Sequence, residues 1–229
     1  MKKLFFLIAF SAVLSINAQS KVAQKLGDFK VLKVFNGIEV ELIKSDEQKI
    51  EITGEKSEKV KIKNVDQTLK LTLPFSLKPE NNAANGEVIV KLYYNSSIDV
   101  IDANEGATIT GKEIKQEKLT VKSQERAFIN LLVNTQFLEV KTSSGAIIKL
   151  SGTTKNQDVD VDLYGVYNGY ALQTTNTADV KAGTGAKAEI LAGDSLKAKV
   201  SFGGSIFYKG NPKVIKDKKV IGGIIQKRD

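Results

Sequence analysis

Hydrophobic and polar residues alternate along residues 98–210 in a unit that recurs about every twenty positions. Each unit opens on an apolar-polar-apolar triplet, and the third residues of successive triplets lie 21, 19, 21, 19 and 18 positions apart. The triplets are Ile98-Asp99-Val100, Leu119-Thr120-Val121, Leu138-Glu139-Val140, Val159-Asp160-Val161, Ala178-Asp179-Val180 and Leu196-Lys197-Ala198. Self-similarity at a fixed period near twenty residues is the signature of a solenoid.

The details of the unit favour a solenoid of strands. Alternation with a period of two places the valines of the triplets on one face of a strand, and stacked coils would bring them about 4.8 Å apart. A small residue follows each triplet, where it would allow the backbone to turn a corner at positive φ. These small residues are Gly106, Ala127, Gly145, Gly165, Gly185 and Gly204. The predicted valine stack consists of Val100, Val121, Val140, Val161 and Val180.

The predicted fold class is therefore all-β, a right-handed parallel β-helix with about 20 residues per coil. No unit holds an apolar run with helical spacing, and the enrichment in Val, Ile and Thr favours strands. The right hand follows from the general handedness of parallel crossovers. A stack of antiparallel hairpins is the alternative, although hairpins usually repeat at shorter spacing.

Strand patterns before residue 98 do not follow the twenty-residue phase. They occupy Ile38–Leu42, Ile50–Gly54, Val60–Lys63, Leu69–Leu73 and Val88–Tyr94. This less regular N-terminal β region is interpreted either as the first coils or as a small sheet that caps the solenoid. Since no linker separates it from the repeats, residues 29–229 are predicted to form a single β-helix domain after an entry segment, 19–28. Its repeats cover 98–210, and 211–229 is predicted to be a C-terminal capping tail.

Residues 1–18 are predicted to be a secretory signal peptide. Lys2 and Lys3 precede an apolar run, Leu4–Leu14, that is too short to span a bilayer, and Ile16–Ala18 offers a cleavage site. The expected location is the periplasm, the outer-membrane surface or the extracellular space. No later segment approaches the length of a transmembrane helix, and a chain without cysteine has neither disulfides nor thiolate metal sites.

The charge of the chain is mildly basic, with a net charge of +8 at pH 7. Residues 1–18 contribute two lysines and no acidic residue, so the remainder carries +6. Acidic residues are interspersed among the basic ones, and aromatic residues are not interleaved with them as in a nucleic-acid stacking platform. Nucleic acid is therefore not an expected partner, and the charge indicates a general attraction to anionic surfaces. The pattern does not set the oligomeric state.

Four stretches of the chain, taken in order, resemble a known family. They are Phe35–Val40, Ile50–Gly54, the Val-Lys-Ala-Gly-Thr-Gly repeat at Val180–Gly185, and Tyr208–Lys213. Over about residues 29–225 the sequence resembles the putative auto-transporter adhesin head GIN domain family of Bacteroidetes, a domain of unknown function. The resemblance implies export, a right-handed β-helix and no known catalytic residues. Likeness of fold does not by itself establish function.

The absence of histidine and cysteine removes Ser-His and Cys-His nucleophile pairs and histidine metal ligands. Carboxylates remain, and Asp158, Asp160 and Asp162 alternate with valines, so all three are expected on the outside of one strand. They are candidate ligand-binding residues, with no cofactor expected apart from a possible Ca²⁺. About 7 Å apart along a flat face they do not converge, so a solvated strand face is the alternative.

Charge alternation supports that alternative. The middle residue of each triplet points outward, and so does the residue two positions later. Stacked over successive coils, the first set predicts a mainly acidic row and the second set a mainly basic row beside it. The first row is Asp99, Thr120, Glu139, Asp160, Asp179 and Lys197, and the second is Lys122, Lys141, Asp162, Lys181 and Lys199. Neighbouring rows of opposite sign offset the repulsion between stacked like charges. Asp162 is the acidic exception in the basic row.

Tyr164, Tyr167 and Tyr170 form a second candidate ligand-binding set, since three of the six tyrosines fall within seven residues. Exposed aromatic faces near Asn and Asp stack on sugar rings or anchor proteins. The alternative is that one or two of these rings pack inside the coil or brace a corner. The leading hypothesis is an exported, non-enzymatic, adhesin-like protein that binds a glycan or a cell-surface protein. The alternatives are a β-helix enzyme that degrades polysaccharides through Asp158, Asp160 and Asp162 or Asp194, and a structural periplasmic protein.

Overall fold

The computed structural model describes residues 21–78, 82–84 and 86–229, and the predicted signal peptide, residues 1–18, lies outside them. In this part of the chain 18 strands join in one sheet. The sheet winds into a β-solenoid of about 7 turns with roughly 19 residues per turn. The predicted all-β, parallel β-helix is confirmed.

The strands follow one another in chain order, most of them joined by short turns. The first nine are β1 Lys21–Lys25, β2 Val31–Val34, β3 Glu39–Lys44, β4 Lys49–Thr53, β5 Lys61–Val65, β6 Thr68–Thr72, β7 Ile89–Tyr94, β8 Val100–Ala103 and β9 Thr108–Lys115. The others are β10 Lys118–Ser123, β11 Phe128–Thr142, β12 Ile147–Val161, β13 Val166–Ala182, β14 Lys187–Leu191, β15 Ser195–Ser201, β16 Ser205–Lys209, β17 Val214–Val220 and β18 Ile224–Lys227. A short 3-10 turn, Ser57–Lys59, precedes β5.

Each regular coil has three sides, and every side is a parallel stack of strands from successive coils. Side 1 stacks β6, β2, β8, β10, the ends of β11, β12 and β13, then β15 and β17. Side 2 stacks β7, β3, β9, the beginnings of β11, β12 and β13, then β14, β16 and β18. Side 3 is short, and in the middle coils consists of residues 132–135, 151–154 and 171–174.

The interior of side 1 is a ladder of apolar residues in register. It consists of Ile101, Val121, Val140, Val159 and Val180, all fully buried. The predicted stack is therefore wrong at two coils, where Ile101 replaces Val100 and Val159 replaces Val161. A period-two pattern is unchanged by a shift of two residues, so the triplet that begins at Val159 fits either register. Ile98 and Ile101 are both buried although three positions apart, so the alternation is interrupted there.

The outward rows of side 1 shift with this register. Row 1 is Val100, Thr120, Glu139, Asp158, Asp179, Lys197 and Lys216, and row 2 is Asp102, Lys122, Lys141, Asp160, Lys181, Lys199 and Lys218. The acidic row therefore contains Asp158, not Asp160. Asp160, not Asp162, interrupts the basic row at the fourth coil of the predicted alignment.

The chain turns from side 1 to side 2 at a corner formed by consecutive residues at positive φ, here called the left-handed corner. The pairs are Asn36-Gly37, Glu105-Gly106, Glu125-Arg126, Ser144-Gly145, Leu163-Tyr164, Phe202-Gly203 and Ile221-Gly222, with Gly185 alone in the remaining coil. In six of these coils a buried small residue follows, namely Ala107, Ala127, Ala146, Gly165, Ala186 and Gly204. The predicted row of small residues mixes these two positions, because both favour small residues for different reasons.

The N-terminal region supplies both coils and a cap. The β2–β3 coil inserts between the coil of β6 and β7 and the coil of β8 and β9. Beyond the outermost coil, β5 pairs antiparallel with β6, and β4 pairs antiparallel with β7. Strand β1, within the predicted entry segment, pairs antiparallel with β4. These strands cover edges that would otherwise expose unpaired backbone.

The C-terminal tail forms one more parallel coil, β17 and β18, rather than a separate cap. In β17 the interior positions carry charges, since Asp217 aligns with Ala198 and Lys219 aligns with Val200. Inward-pointing charges on an edge strand disfavour pairing with a further strand. The last coil is thus protected by its side chains.

We expect Leu150→Ala to lower the free energy of unfolding by about 2–5 kcal/mol, because Leu150 is fully buried and its loss leaves a cavity. Leu132→Ala on the neighbouring strand is the matched control, since Leu132 is 41% exposed. Urea unfolding of both variants checks the difference. Equal midpoints for the two variants would contradict this interior.

Candidate functional site

A groove of about 700 Å³ runs across side 1 where its strands begin. Its floor includes the ends of the buried residues Leu119, Leu138 and Gln157, and its walls are outward residues of five successive coils. The outward lining residues are Asp99, Val100, Lys118, Thr120, Phe137, Glu139, Asn156, Asp158 and Thr177. In register, Phe137 lies between Lys118 and Asn156, and Glu139 lies between Thr120 and Asp158.

The Phe137 ring is the main apolar surface of the groove, because it points outward and is 47% exposed. The carboxylates of Glu139 and Asp158 lie two residues further along side 1, on adjacent coils. The strands that carry them are about 4.8 Å apart. The groove thus combines an aromatic face with carboxylate and amide groups that accept or donate hydrogen bonds. This combination suits ligands that present both apolar faces and hydroxyl groups.

Glu139 is held in its ionised form. Lys141 Nζ lies 2.6 Å from Glu139 Oε1, and Thr120 Oγ1 donates a hydrogen bond of 3.0 Å to Glu139 Oε2. The Lys141 hydrogen bond, with Thr120 and the charge of Lys122, lowers the pKa of Glu139 against the opposing effect of burial. The same contact raises the pKa of Lys141. Glu139 is therefore suited to accept hydrogen bonds and not to donate a proton as a general acid.

The structure separates the three predicted aspartates. Asp158 lines the groove with Phe137, whereas Asp160 and Asp162 line a neighbouring depression of about 430 Å³. Asp162 braces the left-handed corner, since its Oδ1 accepts hydrogen bonds from Leu163 N at 2.8 Å and Thr184 N at 2.7 Å. Among the residues that the structure describes, no three acidic side chains group as metal ligands, so Ca²⁺ gains no support from the geometry.

The three predicted tyrosines point in different directions. Tyr167 is fully buried, and its hydroxyl donates a hydrogen bond of 3.0 Å to Gln157 Oε1. Gln157 Nε2 in turn donates to Thr174 Oγ1, which completes a buried polar network. The prediction that Tyr167 contacts a ligand is wrong, because alternation places it in the interior ladder of side 2 between Ile148 and Ala188.

Tyr164 and Tyr170 remain at the surface. Tyr164 stands on the left-handed corner, 69% exposed, with its ring against Gly185, where a Cβ atom would come within 2.6 Å of it. Tyr170 lies at a bulge on side 2, half-buried, with Lys209 Nζ 5.3 Å from its ring centroid. Burial and the nearby Glu189 raise the pKa of Tyr170. Neither ring lines the groove on side 1.

Sequence reasoning missed Phe137, Asn156 and Glu139 as lining residues. The sequence signal that could have found the groove is an aromatic residue at an outward position. Phe137 lies there, whereas the neighbouring coils place Lys118 and Asn156 at the same position. Asp194, named for the enzyme alternative, lies outside the groove. It forms a salt bridge with Lys213, with 3.1 Å between Asp194 Oδ1 and Lys213 Nζ. Among the described residues, no helix is long and apolar enough to cross a membrane.

The fold and the groove define the class of protein, a β-solenoid that carries a solvent-facing groove on one side of its coils. Residues 28–212 match the family described as putative auto-transporter adhesin, head GIN domain. Since this match covers most of the chain, the protein belongs to that family, and the resemblance seen in the sequence is confirmed. No curated protein matches the chain.

Several solved structures share the fold. A putative adhesin from Bacteroides fragilis superimposes with a TM-score of 0.83 at 18% identity, covering 93% of this chain and 98% of that one. A putative lipid binding protein from Parabacteroides distasonis gives a TM-score of 0.71 at 16% identity with the same coverage. A putative adhesin from Parabacteroides merdae gives 0.68 at 18% identity, again covering 93% and 98%. At these identities the likeness shows the fold alone.

The buried Tyr167 gives the protein a defined response to alkaline pH. Burial raises the pKa of Tyr167, whereas in the unfolded chain tyrosine ionises near pH 10. The unfolded state therefore releases this proton first, so the Tyr167 contribution to stability falls as pH rises above about 10. Tyr167→Phe should lower the free energy of unfolding by about 1–3 kcal/mol at neutral pH, because Gln157 Oε1 loses its hydrogen-bond donor.

The stability of Tyr167→Phe should then decline less steeply than that of the native protein above pH 10. Urea unfolding at a series of pH values measures both slopes, and Tyr164→Phe at an exposed ring is the control. Parallel slopes for the native protein and Tyr167→Phe would show that Tyr167 does not stay protonated inside the coil.

Proposed function

We propose that the protein is an exported, non-enzymatic, adhesin-like β-helix protein that binds a glycan in the groove on side 1. The observation that carries this proposal is the exposed Phe137 ring beside Glu139 and Asp158. An aromatic face stacks on the apolar face of a sugar ring, and the carboxylates accept hydrogen bonds from its hydroxyl groups. Membership of the adhesin head family supports a role in surface binding.

The side chains of the groove favour binding over catalysis. Glycoside hydrolysis by paired carboxylates requires one carboxylic acid with a raised pKa facing a second carboxylate across the bond. Glu139 has a lowered pKa, and it stands beside Asp158 on one flat row instead of across a cleft. Catalysis by the predicted aspartates would need them to converge, and the structure places Asp158 and Asp162 at different depressions.

Export remains part of the proposal, supported by the basic and apolar pattern of residues 1–18 and by the family. The proposed partner is a glycan. A cell-surface protein that inserts an apolar residue beside Phe137 is the second candidate partner, since aromatic residues also anchor protein interfaces.

The test is a glycan array probed with residues 19–229, with and without Ca²⁺, followed by titration of any retained glycan. Phe137→Ala should weaken binding by about tenfold or more, the effect of losing an aromatic anchor. Asp158→Asn should also weaken binding, because the amide loses a charged acceptor. Leu132→Ala and Asp160→Asn are matched controls outside the groove and should bind normally.

Each result has a definite consequence. Binding that survives Phe137→Ala and Asp158→Asn together would exclude this groove as the site. Release of product from a retained glycan would establish the polysaccharide-degrading alternative. Failure to retain any glycan, with capture of a single envelope protein lost in Phe137→Ala, would assign the groove to a protein partner.

A further inference from the structure

Large apolar side chains cluster on the left-handed corner in the C-terminal coils. They are Leu163, Tyr164, Phe202 and Ile221, which are 48%, 69%, 59% and 70% exposed. They lie in three of four successive coils, since Tyr164 N donates to Thr184 O, Gly185 N donates to Phe202 O, and Phe202 N donates to Val220 O. The second of these coils places Thr184 and Gly185 at the corner. At about 4.8 Å per coil, the four side chains span about 14 Å, and the Tyr164 ring lies against Gly185 of the second coil, so that together they form an apolar ridge.

The ridge has no structural reason in the fold. Leu163, Tyr164, Phe202 and Ile221 have φ of 45°, 62°, 48° and 51°, in a region that favours glycine and asparagine and is costly for bulky or β-branched residues. Other coils place residues such as Asn36, Ser144 and Gly145 at the same corner. Because these apolar residues are exposed as well as strained, neither burial nor backbone preference accounts for them, and strain of this kind points to function.

A patch of lysines adjoins the ridge on side 1. Row 2 contributes Lys181, Lys199 and Lys218, the last two each three residues before a ridge residue, and row 1 contributes Lys197 and Lys216. In the described part of the chain only Lys197 of these five lies near a carboxylate, with its Nζ 3.6 Å from Asp179 Oδ2. On the last two coils, Lys199, Lys216 and Lys218 therefore face outward without a salt bridge to any described carboxylate.

We propose that this corner is a peripheral membrane-binding surface, with the ridge inserted among the headgroups of an anionic lipid bilayer and the lysines paired with lipid phosphates. Exposed apolar residues flanked by lysines are the chemical signature of interfacial binding. Each lysine near an anionic leaflet adds attraction that is screened by salt. The flat, two-dimensional spacing of the lysines on side 1 matches a planar array of charges better than a single polyanionic chain.

Lipid binding at this corner does not depend on the groove. The groove opens where the strands of side 1 begin and contains Phe137, whereas the ridge lies past the ends of those strands. The groove and the ridge share no residue, and the lysines of the patch do not line the groove. The two proposals fail or succeed in separate experiments.

The test is sedimentation of residues 19–229 with vesicles of phosphatidylcholine alone and of phosphatidylcholine with phosphatidylglycerol. We expect binding to the vesicles that contain phosphatidylglycerol, weakened by added salt. Replacing Lys181, Lys199 and Lys218 by Gln should weaken binding by about fivefold per lysine. The matched control replaces Lys63, Lys115 and Lys155 by Gln, which changes the net charge equally at positions away from the corner.

The apolar ridge is tested with Tyr164→Gly, Phe202→Asn and Ile221→Asn combined. These residues suit the left-handed backbone, so the variant should fold at least as stably as the native protein while binding vesicles about tenfold or more weakly. The control combines Val65→Asn, Phe75→Asn and Leu77→Asn, which are 62%, 84% and 91% exposed at the N-terminal end. Circular dichroism and urea unfolding confirm the fold of both variants.

Failure of the native protein to bind anionic vesicles would overturn the proposal, as would equal binding by the ridge variant and its control. Binding to a soluble acidic polysaccharide without binding to vesicles would assign the lysines to another ligand. Loss of vesicle binding with normal glycan binding in the ridge variant would support the two separate surfaces.

Discussion

Parallel pairing in register between successive coils is the constraint on which the rest of this structure depends. Backbone hydrogen bonds fix each coil directly above the one before it, so any residue is stacked on residues of the same position in its neighbours. Inward positions therefore form apolar ladders such as Val121, Val140, Val159 and Val180. Outward positions form rows of charge, and the same geometry that excludes water from the ladder builds the surfaces.

Both candidate surfaces follow from this stacking. A single outward aromatic residue, Phe137, becomes the wall of a groove because the coils on either side place Lys118 and Asn156 next to it. The left-handed corner repeats in the same way, so bulky residues in three of four successive coils make a ridge that none would make alone. A solenoid thus converts changes of single residues, repeated at one phase, into extended binding features.

The two ends of the solenoid are treated differently. At the N-terminal end, antiparallel strands β4 and β5 occupy the edges of the first coil, and β1 extends that cap. At the C-terminal end, the outer coil keeps parallel pairing, and Asp217 and Lys219 take interior positions. Strand pairing and inward-facing charge are alternative solutions to the exposed edges of an open sheet.

The sequence by itself determined the fold class, the period of the coil, most N-terminal strands and the family, because strand alternation and a repeat near twenty residues are local signals. It also predicted that the tyrosines would either be exposed or pack inside the coil or at a corner, but it did not determine which tyrosine does which. Only the tertiary structure decided the register, in which Val159 replaces Val161 and Asp158 replaces Asp160 in their rows, since a period of two is blind to a shift of two residues. The groove and the ridge depend on that register, because their residues are distant in sequence and meet only when coils stack.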